Sequence, residues 1–192
     1  MQRQIELALI YGSARTGRFC DTVAGWAASE IGRHGGFALD RIDPASPDIA
    51  NGVAGHDTIA SAALKRRLDG ADAFVVVTPE YNHSFPAPLK ALIDSAGREW
   101  RAKPVGFVSY GGVSGGLRAV EQLRLVFAEP HAVGIRDCVS FAGAPNHFDD
   151  NGELADPEPA TRAMATMLSH LAWWAHALRQ AREQSAYGEA AE

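Results

Sequence analysis

Short apolar segments alternate with longer amphipathic segments five times along the chain, and this alternation restricts the fold more than any other feature. The apolar segments are 5–11, 37–42, 73–78, 104–109 and 132–141, the last made irregular by Gly134. Segment 73–78, AFVVVT, lacks polar alternation, which is typical of a strand buried on both faces of a parallel sheet. Strands that alternate with helices predict an α/β fold, a parallel sheet with helices on both faces.

The intervening segments carry apolar residues at helical spacing. They predict helices from Phe19 to Gly35 and over residues 59–68, 88–97, 117–127 and 157–182. Segment 43–57 is rich in Pro, Gly, Asn and Ser and predicts a surface loop. No repeat or linker divides the chain, so we expect one domain over residues 1–183 and a flexible C-terminal tail over residues 184–192.

Composition narrows the class of protein. The chain has 18 Lys and Arg against 23 Asp and Glu, a net charge of −5, which does not favour a nucleic-acid-binding protein. We expect no secretory leader and no membrane span, because no apolar stretch is long enough. Cys20 and Cys138 lie far apart without a CxxC pattern, so we expect a reduced, cytoplasmic protein with neither a disulfide framework nor a metal site.

The segment after the first strand, residues 12–19, has the composition of a phosphate-binding loop. Its glycines, Ser13 and Thr16 offer backbone N–H groups and hydroxyls at the start of a helix, and Arg15 and Arg18 add positive charge. Arg18 and Phe19 replace the lysine and the hydroxyl residue of a nucleotide triphosphate-binding P-loop, which disfavours triphosphate hydrolysis.

The segment after the third strand, residues 78–88, contains three prolines and two aromatic side chains. Tyr81 and Phe85 are candidates for the walls of a flat ligand, and the Asn82 amide for a contact with ring heteroatoms. Glu80 and His83 resemble an acid–base pair, although a spacing of three in a loop is a weak signal.

The segment after the fourth strand, residues 109–116, allows two interpretations. Its glycines let the backbone approach a planar ligand closely. Residues 112–116 also fit GxSxG, so Ser114 is a candidate nucleophile of a small serine esterase. Partners for Ser114 would come from Asp149, Asp150 or Asp156 and from His170 or His176.

Three segments together resemble the NAD(P)H-dependent FMN reductase family: GSARTGRF, TPEYNHSFPAPLKALID and SYGGVSGGLRAVEQLR. The resemblance implies a flavodoxin-like three-layer sandwich with strand order 2-1-3-4-5 and non-covalently bound FMN. Ser13, Arg15 and Arg18 would then hold the FMN phosphate, with Phe19 and Cys20 at the helix start. The isoalloxazine would be framed by a second set, namely Pro79, Glu80, Tyr81, Asn82, Ser109, Gly111, Gly112 and Ser114.

The same resemblance implies a reductase in which FMN N5 accepts hydride from NADPH or NADH and a small acceptor then enters, giving ping-pong kinetics. Acceptors in the family include quinones, azo compounds, metal oxyanions and free flavin, and no acid or base side chain is expected to be essential. A homodimer or homotetramer is implied. The pair Trp173–Trp174 and the stripe Met164, Met167 and Leu171 are candidates either for that interface or for packing onto the sheet. A flavodoxin-type electron carrier is the second alternative, beside the esterase.

Overall fold

The structure is a computed structural model that describes residues 3–188 and contains one five-stranded parallel sheet. The strands are β1 (Ile5–Tyr11), β2 (Phe37–Ile42), β3 (Ala73–Pro79), β4 (Pro104–Gly111) and β5 (Val133–Ala142). Their order is β2-β1-β3-β4-β5, and every neighbouring pair is parallel. The predicted fold class and strand order are therefore confirmed.

Within the described residues, six α-helices cover both faces of the sheet. They are α1 (Cys20–His34), α2 (Pro47–Ala54), α3 (Ile59–Gly70), α4 (Ala87–Asp94), α5 (Leu117–Ala128) and α6 (Glu158–Gln184). Helices α1 and α6 enclose one apolar core against the sheet, and α2 to α5 enclose the other. The predicted stripe Met164, Met167 and Leu171 is buried in the first core, whereas Trp173 and Trp174 are exposed.

The predicted loop over residues 43–57 is wrong, because most of it forms α2. Asn51 and Gly52 lower helix propensity and suggested a loop. Tertiary packing outweighs that preference: Ile49 is buried, and Gly52 sits so close to α3 that a Cβ there would lie 3.0 Å from the carbonyl oxygen of Ala60. Pro47 in the first turn also suits a helix start.

The other boundaries differ from the predictions by smaller amounts. Helix α4 ends at Asp94, earlier than the predicted Gly97, and a short 3-10 helix follows at Arg98–Trp100. Strand β5 is continuous, but its register against β4 shifts between Val105 and Phe107, which confirms the predicted irregularity.

The C-terminal segment is partly described. Helix α6 continues to Gln184, and the Tyr187 hydroxyl lies 2.9 Å from Nδ1 of His131. Residues 189–192 of the predicted tail lie outside the described residues, so the division at residue 183 stays a prediction. Between residues 3 and 188, no helix combines the length and apolar character needed to cross a membrane.

Candidate functional site

Three loops meet at one edge of the sheet because β1, β3 and β4 are parallel neighbours. Loop 1 (residues 12–19) follows β1, loop 2 (residues 80–86) follows β3, and loop 3 (residues 111–116) spans the end of β4 and the start of α5. In open α/β sheets, ligands bind at this carboxyl edge, near the point where the strand order reverses. The three segments singled out in the sequence are therefore brought together.

Loop 1 leaves the sheet at Gly12, where only a glycine fits. The Gly12 N–H donates to the carbonyl oxygen of Val77 at 2.7 Å, and a Cβ on Gly12 would lie only 2.6 Å from that oxygen. Ser13 is fully buried, and its Oγ lies 3.0 Å from the Tyr81 hydroxyl. Loops 1 and 2 are thus joined directly below the surface.

Arg15 lies at the surface above this junction. Its guanidinium carbon is 3.8 Å from the centre of the Tyr81 ring, a cation–π contact. A cleft of about 360 Å³ opens beside the pair. Its lining joins loop 1 to loop 2 and the start of α4: Ser13, Ala14, Arg15, Tyr81, Phe85, Pro86, Ala87 and Pro88.

Arg18 occupies a different environment from Arg15. Its side chain is 6% exposed and donates to Asp43 at 2.7 and 2.5 Å, and it also pairs with Asp21 and with the carbonyl oxygen of Ser13. The hydrogen bonds to Asp43 raise the pKa of Arg18. Two carboxylates therefore already neutralise Arg18, which holds loop 1 against the end of β2, while Arg15 is the cation open to the cleft.

Asp43 was not among the predicted site residues, because it lies in segment 43–57, which was predicted to be a surface loop. Burial alone would raise the pKa of this carboxyl group, but hydrogen bonds from Arg18 and from the N–H of Ala45 lower it overall. Asp43 is therefore ionised at neutral pH and remains paired with Arg18.

Phe19 and Cys20 begin helix α1 with their side chains turned inward. The Phe19 ring packs edge-on against Tyr110 and Phe148, at centroid distances of 5.9 and 5.7 Å. Cys20 is fully buried with its Sγ 3.8 Å from the carbonyl oxygen of Val77, and burial raises the pKa of its thiol. A ligand can therefore contact Cys20 only through its backbone, whereas the Phe19 ring is partly exposed.

Loop 2 continues β3 through Pro79 and then makes a tight turn. Tyr81 and Ser84 exchange two backbone hydrogen bonds of 2.8 and 3.0 Å. Asn82 and His83 between them have φ angles of 51° and 68°, as expected at the centre of a type I′ turn. Both are exposed, so the Asn82 amide remains accessible to a ligand.

Glu80 connects loop 2 to loop 3 and does not pair with His83. Its carboxylate accepts from Ser114 Oγ at 2.5 Å, from the N–H of Arg118 at 3.3 Å and from Arg118 Nη1 at 3.0 Å. Burial would raise the pKa of Glu80, but the bonds from Ser114 and Arg118 outweigh it and lower the pKa. The sequence reading missed Arg118, although a cation two residues after Gly116 was a usable signal.

The predicted esterase geometry does not form around Ser114. Its hydroxyl donates to a carboxylate, and no described histidine hydrogen-bonds to it. His170 lies instead 2.7 Å from Asp137, and His176 lies 3.2 Å from Arg179. A serine nucleophile needs a base that accepts its proton, and the ionised Glu80 is occupied by Arg118 as well.

Loop 3 folds back on the sheet through its glycines. Ser109 is buried and donates to the carbonyl oxygen of Gly115 at 2.8 Å, so its hydroxyl supports the loop. At Gly116, φ is +86°, and a Cβ would lie 2.8 Å from the backbone nitrogen of Tyr110. Gly112 is exposed, and a Cβ there would meet no atom within 4 Å. Loop 3 therefore offers an open backbone surface at Gly112, whereas Gly111 packs against the Gly116 backbone nitrogen, 3.1 Å from where its Cβ would lie.

These features fit FMN in the chemistry of their donors. Arg15 and the backbone N–H groups of loop 1 suit a phosphate at a helix start. Tyr81 and the open backbone at Gly112 suit the edge and face of a planar ring. Within the described residues, no group of three or more His, Cys, Asp or Glu side chains forms a metal site.

Comparison with known proteins agrees with this chemistry. A probable NADPH:quinone oxidoreductase of Oryza sativa is 31% identical to this chain over 179 residues, which cover 86% of this chain and 89% of the relative. An NAD(P)H-dependent FMN reductase of Schizosaccharomyces pombe is 37% identical over 120 residues, which cover 58% of this chain and 60% of the relative. The match to the yeast protein thus spans less than two thirds of its length.

Solved structures share the fold at low identity. FerB, a flavoenzyme NAD(P)H:(acceptor) oxidoreductase from Paracoccus denitrificans, aligns with a TM-score of 0.71 at 20% identity, covering 88% of this chain and 97% of FerB. A flavodoxin of Streptococcus pneumoniae aligns with a TM-score of 0.56 at 16% identity, covering 88% and 98% of the two chains. The family model for NADPH-dependent FMN reductase matches residues 5–146, which include all three loops, and the chain therefore belongs to that family.

Proposed function

We propose that the protein is an oxidoreductase that binds FMN at the three loops, is reduced by NADPH or NADH, and reduces a small acceptor. The observation that carries this proposal is the cleft beside the Arg15–Tyr81 pair, which lies at the same sheet edge as the exposed backbone of Gly112. A phosphate subsite, an aromatic wall and an uncovered backbone surface thus lie on one sheet edge, as a ligand with a phosphate and a flat ring requires.

Bound FMN would supply two-electron chemistry between a nicotinamide nucleotide and a small acceptor that use the same site in turn. Arg15 and loop 1 N–H groups anchor the phosphate in this proposal. Loop 2 and Gly112 present backbone groups to the ring, where fixed N–H donors stabilise negative charge. The side chains of Ser13, Arg18 and Ser109 keep the loops in place.

The proposed reaction requires no acid–base side chain of the site. Glu80, the carboxylate between loops 2 and 3, is engaged by Ser114 and Arg118. His83 is exposed at the tip of a turn. This arrangement suits chemistry that takes place on a bound flavin and tolerates several acceptors.

We propose a quinone as the acceptor, because several similar proteins, including one from Oryza sativa, are named as quinone oxidoreductases. Azo compounds, metal oxyanions and free flavin are the other candidates. A panel of these acceptors with NADPH and NADH, measured as initial rates, tests the choice. A ping-pong cycle predicts parallel lines in double-reciprocal plots, and intersecting lines would contradict it.

We further propose a homodimer or homotetramer in which a second copy borders the site. Val113, which follows Gly112, and Leu117, which follows Gly116, are exposed apolar residues of loop 3 and the start of α5, and Trp173 and Trp174 form an exposed aromatic pair on α6. Light scattering of wild type and of Val113→Asp/Leu117→Glu tests this border. A monomeric wild type would contradict it.

We also propose a reducing, cytoplasmic location, because Cys20 and Cys138 are both free thiols.

A further inference from the structure

A second cleft, of about 680 Å³, lies at the opposite edge of the sheet from the three loops. Its lining residues precede the strands: Arg3 lies before β1, Asp72 before β3 and Lys103 before β4. The last turns of α6 form its other wall through Arg179 and Arg182. No segment of this cleft belongs to the proposed FMN site.

The cleft is strongly cationic on a protein whose net charge is −5. Six basic residues line it, against three carboxylates. The basic residues are Arg3, Arg98, Arg101, Lys103, Arg179 and Arg182, and the acidic residues are Asp69, Asp72 and Glu183. Charge concentrated in a concave site attracts anions more strongly than the same charge spread over a surface.

The basic residues divide into a fixed group and an open group. Asp72 is buried and receives Arg179 at 3.0 Å and Arg182 at 3.5 Å, which holds both guanidinium groups on the wall. Arg98 and Arg101 are exposed at the rim; the side chain of Arg98 is 82% exposed, with its Nε 3.7 Å from the Glu99 carboxylate. The rim arginines therefore remain able to turn toward a ligand.

Lys103 gives the cleft a charged base. The residue is only 4% exposed, and its Nζ donates to the carbonyl oxygens of Leu68 at 3.0 Å and Asp69 at 2.7 Å. An ammonium group has three protons, so one remains for a ligand in the cleft. Burial, opposed by Asp69 and reinforced by Arg182, lowers the pKa of Lys103 to about 8. The group is thus still mainly protonated at neutral pH, and a bound anion would offset its desolvation.

We propose that this cleft binds a small soluble molecule carrying a phosphate or diphosphate group, which Arg98 and Arg101 contact from the rim while Lys103 attracts it from below. Arginine forms paired, charge-assisted hydrogen bonds with phosphate oxygens. Tyr187, which lines the same cleft, provides an aromatic surface for the rest of the ligand.

The test titrates inorganic pyrophosphate into FMN-loaded protein by calorimetry. Arg98→Ala/Arg101→Ala is expected to weaken binding by at least about tenfold, because it removes two charged hydrogen-bond donors from the rim. The charge-matched control is Arg136→Ala/Arg162→Ala, which removes two exposed arginines outside the cleft and is expected to change affinity less than about twofold.

The titration is repeated in an Arg15→Ala background, which removes the cation of loop 1, so pyrophosphate bound at an empty FMN site does not account for the signal. Absence of pyrophosphate binding, or equal weakening in the two double variants, would overturn the proposal. Vesicles containing an anionic phospholipid distinguish a lipid headgroup from a soluble ligand. Binding to vesicles that pyrophosphate does not displace would also overturn it.

Discussion

The guanidinium of Arg15 covers the ring of Tyr81, with 3.8 Å between the guanidinium carbon and the ring centre. The hydroxyl of the same tyrosine lies 3.0 Å from Ser13 Oγ. Tyr81 is therefore held by loop 1 at both its face and its hydroxyl. The cleft between loops 1 and 2 is already formed, with its one open arginine in position.

Arg15→Ala is expected to weaken FMN binding by about 1.5–3 kcal/mol, the range for a hydrogen bond to a charged group. Arg18 cannot replace the lost cation, because Asp43 and Asp21 already neutralise it. Flavin fluorescence titration measures the change, and Arg136→Ala is the control for the loss of one positive charge. Equal FMN affinities in wild type and Arg15→Ala would remove Arg15 from the phosphate site.

Two glycines of loop 3 are expected to respond differently to alanine. Gly116→Ala forces a side chain into a positive φ and within 2.8 Å of the Tyr110 backbone, so we expect a loss of roughly 2–4 kcal/mol in unfolding free energy. Gly112→Ala meets no atom within 4 Å and should leave stability unchanged.

Gly112→Ala should instead weaken FMN binding by about tenfold, since an added methyl group between the flavin ring and this backbone costs roughly 1–3 kcal/mol. Urea unfolding without flavin and a flavin titration separate the two effects. Unchanged FMN affinity in a folded Gly112→Ala protein would argue that the ring does not approach this backbone.

Glu80→Gln tests the connection between loops 2 and 3. The amide removes the charge that Arg118 and Ser114 share, so FMN affinity is expected to fall by about 3- to 10-fold, the size of one net hydrogen bond. The conservative Glu80→Asp is the comparison, because it keeps the charge but shortens the reach. If Glu80→Gln binds FMN as tightly as wild type does, the contacts of Glu80 with Ser114 and Arg118 contribute nothing to FMN binding.

Ser114→Ala is expected to retain reductase activity, because this hydroxyl donates to Glu80, accepts from the N–H of Gly116 and has no described histidine partner. Reductase turnover and hydrolysis of a small aryl ester are measured on the same preparations. Ester hydrolysis by wild type that disappears in Ser114→Ala, with no flavin-dependent reduction in either protein, would favour the serine esterase.

Lys103 makes the stability depend on pH in the alkaline range. Its pKa in the folded protein is about 8, below the ordinary value of 10.5, so the folded state binds fewer protons than the unfolded state between these values. Stability therefore rises with pH across this window. The charged groups that act on Lys103 are Asp69, Arg182, Asp72 and Glu99.

Relative to Lys103→Met, wild type is expected to gain on the order of 2 kcal/mol in unfolding free energy between pH 7 and pH 9.5. Urea unfolding at both pH values measures the difference, and the comparison cancels groups that titrate in both proteins. Parallel changes with pH in the two proteins would show that the buried ammonium has an ordinary pKa.

The fold was predictable because its signals are local. The apolar run at residues 73–78 and the glycines at 35 and 36 mark a buried strand and a helix end without reference to the rest of the chain. Helix α2 was missed because its support is tertiary: Gly52 is a poor helix residue that allows α3 to approach closely.

In the candidate site, too, local features were predictable from the sequence and contacts between distant residues were not. The three loops could be found from glycine, proline and hydroxyl patterns, and parallel strands bring them together. The partner of Arg18 could not be found, because Asp43 follows a different strand and is 25 residues away. The hydrogen bond between Glu80 and Ser114 likewise spans 34 residues, so the sequence could not show which partner this carboxylate has.

The central claim is tested most directly by mixing FMN-loaded protein with NADPH or NADH in the absence of oxygen, and then adding a quinone. The account predicts that the flavin absorbance bleaches within seconds with at least one nucleotide and returns when the quinone is added. Flavin that stays oxidised with both nucleotides would contradict the account and favour an electron carrier of the flavodoxin type.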